Sequence, residues 1–310
     1  MACREPARRA RRDHRGHGHG PSPAGRGGGM SRAVRGIDHA VIVVQDIDAA
    51  ETAYRRLGFA VRPRGFHTSL GTANHLVMFG NDYFELLGVV QANDFNAERR
   101  ALLAAKGGGL ANLAVATDGA DLVHAAWREA GLAPDAPLAF GRDVEIAGRT
   151  EHARFRTVRV PKPHYPVVGL FACDHLTPGF VYRPEWSQHD NGAVALAGAV
   201  VVCDAPAGQS TLLAKFFGTG AVQATADGLS VGTGTIPLEY MTRDVFARRH
   251  DGLVPARSDD HPALLAFRVT SLDRCAARLG QGGVAFRRSA GRLLVAAGEA
   301  AGVALAFQEG

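Results

Sequence analysis

Two side chains in strand-like segments carry groups that bind divalent metal ions. His39 lies in GIDHAVIVV and Glu85 lies in DYFELLGVV, both apolar runs with many β-branched or aromatic residues. An imidazole and a carboxylate together suit Fe(II), Mn, Ni or Zn without selecting among them. Without a metal, His39 would be a hydrogen-bonded strand histidine, and Glu85 would be a carboxylate that binds substrate or acts as a base.

An internal repeat supplies the elements that must position these side chains. The segment GIDHAVIVVQDIDAAETAYRRLGF (36–59) aligns without gaps to GLANLAVATDGADLVHAAWREAGL (109–132). In each copy an apolar strand leads into a helix that ends at a glycine, Gly58 or Gly131, where a helix end favours a left-handed residue. The repeat therefore predicts two modules that begin with the same strand and helix.

Two further copies extend the repeat to the C-terminus. GAVALAGAVVVCDAPAGQSTLLAKFFG (192–218) is the weaker copy, and LLAFRVTSLDRCAARLGQGGVAF (264–286) is the clearer one. Three strand-like runs follow each helix; in the first copy they are 59–63, 73–80 and 82–90, and in the second copy the run near Leu138 is doubtful. The sequence predicts four βαβββ modules, an α+β fold. Each module is too small to bury its own sheet face, so pairs should close around a shared cavity.

The module pattern resembles that of the vicinal oxygen chelate superfamily, and within it the glyoxalase-like domain proteins. Besides the first strand and helix, the resemblance rests on HTSLGTANHLVMFGNDYFELLGV (67–89), FACDHLTPGFVYRPEW (171–186) and HDNGA (189–193). It implies paired βαβββ modules that form curved, half-barrel mixed sheets enclosing a cavity. It says little about the reaction, because this fold hosts several chemistries.

The resemblance also implies where a metal would bind. Ligands in this superfamily come from the first and last strands of paired modules, which here carry His39 and Glu85. The repeat places Asn112 at the position of His39 and the apolar stretch 170–173 at that of Glu85. Neither the four ligands of glyoxalase I nor an evident two-histidine, one-carboxylate set is reproduced. We predict one divalent ion (Fe, Ni, Mn or Zn) on His39 and Glu85, with the third ligand open.

Further candidates lie in the segments that carry the resemblance. His175 directly follows the last strand of the second module and could reach the cavity mouth as a catalytic group beside Glu85; otherwise it has a turn or capping role. Asn74 belongs to the GTAN motif, and strand alternation sends His75 to the opposite face. The residues predicted to contact substrate are His67, Asn74 and Trp186.

The composition favours a cytoplasmic globular protein. The chain has 310 residues, 46% of them hydrophobic, which suffices for one large domain or two ordinary ones. Its four cysteines lie far apart and form no C-x-x-C pair, which suits a reducing compartment. No apolar run approaches the ~20 residues that a membrane helix needs. We therefore expect a cytoplasmic protein with no membrane partner.

The basic charge is concentrated in the N-terminal tail. The formal net charge is +5, and residues 1–30 are rich in arginine and glycine. Such a segment cannot bury enough apolar surface to offset its chain entropy, so we predict that it is disordered and expect no nucleic-acid partner. We divide the rest into a glyoxalase-like domain of two modules, 31–190, and two weaker modules, 191–310.

Three functions compete for such a scaffold. The first is a metal-dependent lyase or isomerase that chelates two adjacent oxygens of a small substrate, while a carboxylate moves the proton. The second is a non-catalytic protein that binds or sequesters a small molecule. The third, an extradiol ring-cleaving dioxygenase, requires a second inward histidine. We predict the first. The sequence leaves open whether modules pair within one chain or between the two chains of a homodimer.

Overall fold

The computed structural model describes residues 33–162 and 166–310. The tail predicted to be disordered, 1–30, lies outside these ranges. The strands of the N-terminal half are β1 (Gly36–Val44), β2 (Gly65–His67), β3 (Thr72–Met78), β4 (Tyr83–Val89), β5 (Gly108–Ala116), β6 (Leu138–Ile146), β7 (Arg149–Arg159) and β8 (Gly169–His175). The strands of the C-terminal half are β9 (Ala193–Val202), β10 (Val222–Thr225), β11 (Gly228–Gly232), β12 (Pro237–Met241), β13 (His261–Val269), β14 (Phe286–Ser289), β15 (Arg292–Val295) and β16 (Ala304–Glu309). The α-helices are α1 (Ile47–Arg56), α2 (Ala97–Lys106), α3 (Ala120–Glu129), α4 (Ser210–Phe217), α5 (Arg243–Arg249) and α6 (Leu272–Gln281).

Each half of the chain forms one eight-stranded mixed sheet. The strand order is β2-β3-β4-β1-β5-β8-β7-β6 in the first and β10-β11-β12-β9-β13-β16-β15-β14 in the second. In the first sheet, β1 pairs parallel to β4 and antiparallel to β5; in the second, β9 pairs in the same way with β12 and β13. Each sheet is thus a pair of βαβββ modules related by the repeat. The predicted α+β fold of paired modules is confirmed.

The ends of α1 show why the repeat is visible in the sequence. The Asp46 carboxylate caps the helix by accepting hydrogen bonds from the N–H groups of Asp48 and Ala49, each at 3.0 Å. The chain leaves the helix through Gly58 at φ 87°, and Gly131 follows α3 at φ 75°. The conformation favours glycine at both positions, as the repeat predicted.

Two strands differ from their sequence-based prediction. The run 59–63 is not a strand, and β2 lies further along the chain at Gly65–His67. Pro63 lacks an N–H group, so it cannot donate a ladder hydrogen bond within the run. The region near Leu138, whose pattern is doubtful, forms the nine-residue strand β6.

The two halves share one hydrophobic core. The buried faces of α1, α3, α4 and α6 pack between the sheets. The ring centroids of Trp127 and Phe216 lie 5.1 Å apart, and those of Phe59 and Phe267 also lie 5.1 Å apart. Thr235 Oγ1 accepts a hydrogen bond from Ile37 N at 2.8 Å. The first sheet ends with β8 and the second begins with β9, and one core joins the two sheets.

The concave faces of the two sheets are filled differently. The first sheet curls until β2 approaches β6, with the rings of His67 and Phe140 5.6 Å apart, and leaves an internal cavity of about 490 Å³. On the second sheet, Phe246 of α5 packs into a small apolar cluster, and Glu239 pairs with Arg249 at 2.9 Å. Most residues that line this cavity belong to the first two modules, and the C-terminal half adds Arg257, Asp259, Asp260 and Pro262. Among the described residues, no helix is both long and apolar enough to span a membrane.

Candidate active site

A bulge in β1 turns two consecutive residues toward the concave face. Ile37 pairs with Val115 and His39 with Ala114, so Asp38 is an extra residue on this strand. Ile37 packs in the core on the convex side. Since a bulge breaks the alternation of strand residues, Asp38 and His39 both face inward.

The inward side chains form a buried cluster with the end of β8. The ring nitrogens His39 Nδ1 and His175 Nε2 lie 2.5 and 3.1 Å from Asp38 Oδ2, and the Tyr182 hydroxyl donates to Asp38 Oδ1. The side chains of Asp38, His39 and His175 are each less than one-tenth exposed. The ligand atoms of these three residues all lie within 4.8 Å of one another.

Charge explains how the cluster holds together. Burial opposes ionisation of Asp38, but hydrogen bonds from His175 and His39 and their positive charges outweigh it and lower the pKa of the carboxyl. Burial, followed by the charge of Asp38, raises the pKa of Tyr182. The phenol therefore stays protonated and donates a hydrogen bond to Asp38. The cluster is therefore an ionised carboxylate surrounded by three potential hydrogen-bond donors.

The ring of His39 stands between this cluster and the cavity. It stacks on Tyr83 with ring centroids 4.3 Å apart, and Phe171 meets it edge-on at 5.5 Å. Its Nδ1 contacts Asp38, and no described residue hydrogen-bonds to its Nε2. Because the ring also lines the cavity, Asp38 orients His39 with one nitrogen left for a metal or a substrate.

The cavity on the other side of His39 has apolar walls and several buried polar groups. Glu85 pairs with Val41 on β1, so it shares a face with His39, and its Oε2 accepts a hydrogen bond from Asn74 Nδ2 at 2.7 Å. Burial lowers the pKa of His67 to about 4, so this imidazole is neutral near pH 7. The polar residues that line the cavity include His39, His67, Thr72, Asn74, Glu85, Arg99, Asn112, Arg142 and Thr157.

The second module repeats the local geometry without the same ligands. A second bulge leaves Ala111 as an extra residue on β5, and Asn112 then occupies the place of His39. The strand partner of His39 is Tyr83, and Glu85 lies two residues after it. The strand partner of Asn112 is Gly169, and Phe171 lies two residues after it, at the position that corresponds to Glu85. Both Asn112 and Phe171 line the cavity. The second module thus offers neither an imidazole nor a carboxylate at the two positions that carry His39 and Glu85 in the first.

The structure brings four of the predicted site residues to this cavity: His39, His67, Asn74 and Glu85. His75 lies on the opposite face, where its Nδ1 contacts the carbonyl oxygen of Arg62 at 2.7 Å. His175 lies behind His39 in the buried cluster, and Glu85 is not part of that cluster. The ligand role of Glu85 stays a prediction.

Trp186 lies away from the main cavity. It borders a separate surface groove, and the guanidinium of Arg62 lies 4.3 Å from the centroid of its ring. The side chain packs with Val181 and Phe155 in a cluster at one end of the sheet. The structure therefore does not place Trp186 where it would contact a molecule inside the cavity.

Sequence reasoning missed four residues of the site: Asp38, Arg99, Arg142 and Tyr182. Simple strand alternation puts Asp38 and His39 on opposite faces, and only the bulge brings them together. Arg142 lies on β6, the strand with the doubtful pattern. The adjacent Asp-His pair in an apolar strand was the one available signal.

The donor set of the cluster suits a divalent metal. Two imidazoles and a carboxylate are the ligands of many non-haem iron sites, and they also suit zinc. Bonds of about 2.0–2.2 Å place neighbouring ligands about 3 Å apart. The 3.1 Å contact of His175 with Asp38 meets that spacing, while the 2.5 Å contact of His39 is a tight hydrogen bond. An ion would replace these hydrogen bonds and release protons.

Sequence comparison defines the class to which this scaffold belongs. The chain matches the family described as glyoxalase-like domain over residues 37–217, more than half of its length. The chain belongs to the glyoxalase-like domain family, and its fold is that of the vicinal oxygen chelate proteins. No curated protein matches its sequence significantly.

Solved structures share the fold at low sequence identity. A hypothetical protein from Staphylococcus aureus is 10% identical, with a TM-score of 0.64, 88% of this chain and 98% of that chain covered. A mutant of 4-hydroxymandelate synthase from Streptomyces coelicolor is 14% identical, with a TM-score of 0.57 and 89% and 93% covered. A xylose isomerase-like TIM barrel/4-hydroxyphenylpyruvate dioxygenase fusion protein is 15% identical, with a TM-score of 0.56; 91% of this chain and 50% of the fusion protein are covered. These similarities concern the fold alone.

Proposed function

We propose that the protein is a metal-dependent enzyme of the lyase or isomerase type, which acts on a small molecule chelated through adjacent oxygens. The observation that carries the proposal is the cluster of Asp38, His39 and His175, whose ligand atoms lie within 4.8 Å of one another and whose His39 also lines the cavity. These three residues would hold the ion. When bound, the ion supplies Lewis-acid polarisation of a substrate oxygen.

The residues of the cavity have separate tasks in this proposal. Glu85 is the candidate base, because its carboxylate faces the cavity and Asn74 fixes one of its oxygens. His67 is neutral, so it can donate or accept one hydrogen bond to the substrate. Tyr182 holds Asp38 and thereby the ring of His39.

The metal content of variants tests the proposal. Full-length protein is reconstituted with Fe(II), Ni, Mn or Zn, dialysed and measured by elemental analysis. We expect stoichiometric metal in the parent and loss of it in His39→Ala and His175→Ala. His152→Ala, an exposed histidine on β7, is the matched control and should keep the metal.

Glu85→Gln separates two versions of the site. If the ion sits in the cluster, this variant keeps its metal and loses turnover, because it lacks the base. If Glu85→Gln loses its metal as His39→Ala does, the sequence-based assignment of His39 and Glu85 as ligands is right. A parent that takes up none of the four metals would refute a metal-dependent function altogether.

The donor set also favours a second candidate, an extradiol ring-cleaving dioxygenase. Such chemistry uses two histidines and one carboxylate on Fe(II), and the cluster contains that set. Oxygen consumption by the Fe(II)-loaded protein with catechol measures it directly. Oxygen uptake that is lost in His175→Ala would favour this candidate over a lyase or isomerase.

A further inference from the structure

Arg142 is a buried cation without a partner. It lies on β6, is 7% exposed and lines the cavity. Among residues 33–162 and 166–310, no group forms a hydrogen bond or ion pair with its side chain. Burial lowers the pKa of its guanidinium, which nevertheless stays protonated near pH 7. Because an unpaired buried charge is unfavourable, Arg142 favours binding of an anionic group in the cavity.

Arg99 of α2 adds a second cation to the same cavity. Its Nε is buried without a hydrogen-bond partner, and its Nη1 donates to the Phe95 carbonyl at 3.3 Å. It has no carboxylate within ion-pair distance in the described part of the chain. Two other arginines that line the cavity are paired, Arg159 with Glu98 at 3.1 Å and Arg257 with Asp259 at 3.0 Å.

Glu85 compensates only part of this positive charge. Its carboxylate is hydrogen-bonded by the Asn74 amide, and neither Arg142 nor Arg99 forms an ion pair with it. Two guanidinium groups and one carboxylate give this part of the cavity an excess of one positive charge. His67 adds none, because burial keeps it neutral near pH 7. The balance matches a ligand with one negative charge.

The remaining walls indicate the rest of the ligand. Phe140 and Phe155 stack at 5.3 Å, and Phe171, Leu87 and Leu170 also line the cavity. A volume of about 490 Å³ suits a small organic molecule. An aromatic or aliphatic body would lie against these rings with favourable apolar burial.

We propose that the cavity binds a small organic monocarboxylate, whose carboxylate pairs with Arg142 and Arg99 and whose apolar body lies against Phe140 and Phe155. A planar carboxylate matches the two parallel N–H donors of a guanidinium. Naming this molecule as the substrate rests on the proposed function. The binding itself does not, because neither arginine belongs to the metal-ligating cluster.

Calorimetry on metal-free, full-length protein tests the binding step. The probes are benzoate, phenylacetate, 3-phenylpropanoate and 4-phenylbutanoate, each beside its uncharged amide, in chloride buffer. We expect at least one acid to bind about tenfold more tightly than its amide. Arg142→Gln should weaken that acid by about tenfold or more, and Arg99→Gln should weaken it in the same direction.

Arg154→Gln is the matched control, because Arg154 is exposed on β7 next to Ala153, the strand partner of Arg142. It should bind the acid as the parent does. Arg142→Gln should also melt at the same or a higher temperature than the parent without ligand, since it removes an unpaired buried charge, and it should lose the stabilisation that the acid gives. That combination excludes a folding defect.

Three results would overturn the inference: no acid binds, the amides bind as well as the acids, or both arginine variants bind the acid like the parent. Metal content is measured on the same samples. A protein that binds the acid through Arg142 but takes up no metal contradicts the proposed function and supports this inference. A protein that binds acids only when it contains metal, and binds them equally well in Arg142→Gln, supports the proposed function and contradicts this inference.

Discussion

At the scale of single residues, Asp38 decides what the histidines of the cluster can do. Its Oδ2 lies within hydrogen-bond distance of both His39 and His175, and its Oδ1 accepts from Tyr182. Because the carboxylate is buried and ionised, it fixes both rings more firmly than a neutral acceptor would. The orientation of His39 toward the cavity therefore depends on a residue that does not itself line the cavity.

Asp38→Asn tests this dependence. The amide offers one oxygen where the carboxylate offers two, and its NH₂ group meets a donor, so the free energy of unfolding should fall by about 2–3 kcal/mol. Tyr182→Phe removes one of the three hydrogen bonds and should cost about 1 kcal/mol. Chemical denaturation measures both. An Asp38→Asn variant as stable as the parent would show that the charge does not hold the cluster.

At the scale of elements, tight glycine turns carry the site residues to the cavity. Gly71 joins β2 to β3, between His67 and Asn74, with a left-handed φ of 63°. A side chain there would overlap the carbonyl oxygen of Gln91. The turn is held from outside by Asn96, whose Nδ2 donates to the Leu70 carbonyl at 2.9 Å. Glycine in the GTAN motif is therefore a requirement of the backbone.

Gly71→Ala should destabilise the protein by about 2 kcal/mol, because alanine is strained at this φ and its Cβ displaces the carbonyl group of Gln91, which follows β4. The shift moves His67 and Asn74, so ligand binding in the cavity should weaken as well. Gly80→Ala is the matched control, since a Cβ there meets no atom. Equal unfolding midpoints for the two variants would contradict the explanation.

The elements were predictable to the extent that they repeat. The strand, helix and glycine of the first module recur in the second, and this periodicity is enough to predict the paired modules. The bulge at Asp38 was not predictable, because it changes the direction of a side chain without changing the apolar pattern of the strand. Arg142 was missed for another reason: it interrupts the apolar face of β6, which otherwise carries Leu138, Phe140, Val144 and Ile146.

At the scale of the whole molecule, the second half supports the first. The helices of the modules pack in one core, and Tyr54 of α1 donates a hydrogen bond to the Ala300 carbonyl at 3.2 Å. Asp82 adds a polar link, because its Oδ1 accepts from the Leu196 N–H at 3.0 Å. The sheet that encloses the cavity thus packs through the shared core against a second sheet, whose own concave face is filled by apolar side chains.

Asp82 makes this junction sensitive to pH. Burial and the charge of Asp38 raise its pKa to about 6, while the Leu196 N–H and Arg268 oppose the rise. Between about pH 4 and 6 the folded protein holds a proton that the unfolded chain releases, so the free energy of unfolding falls as pH rises through this window. Above pH 6 the full cost of the buried charge is present. Allowing for its partial exposure, that cost is about 1–2 kcal/mol.

Asp82→Asn should remove this cost, because the amide oxygen still accepts from Leu196 and carries no charge. Chemical denaturation at pH 8 should show the variant to be more stable than the parent by about 1–2 kcal/mol, and the gain should vanish near pH 4, where Asp82 of the folded parent is protonated. Asp135→Asn, which changes an exposed carboxylate without a side-chain hydrogen bond or ion pair among the described residues, should give no such pH-dependent gain. A gain that is equal at both pH values would mean that the charge of Asp82 does not weaken the junction between the two halves.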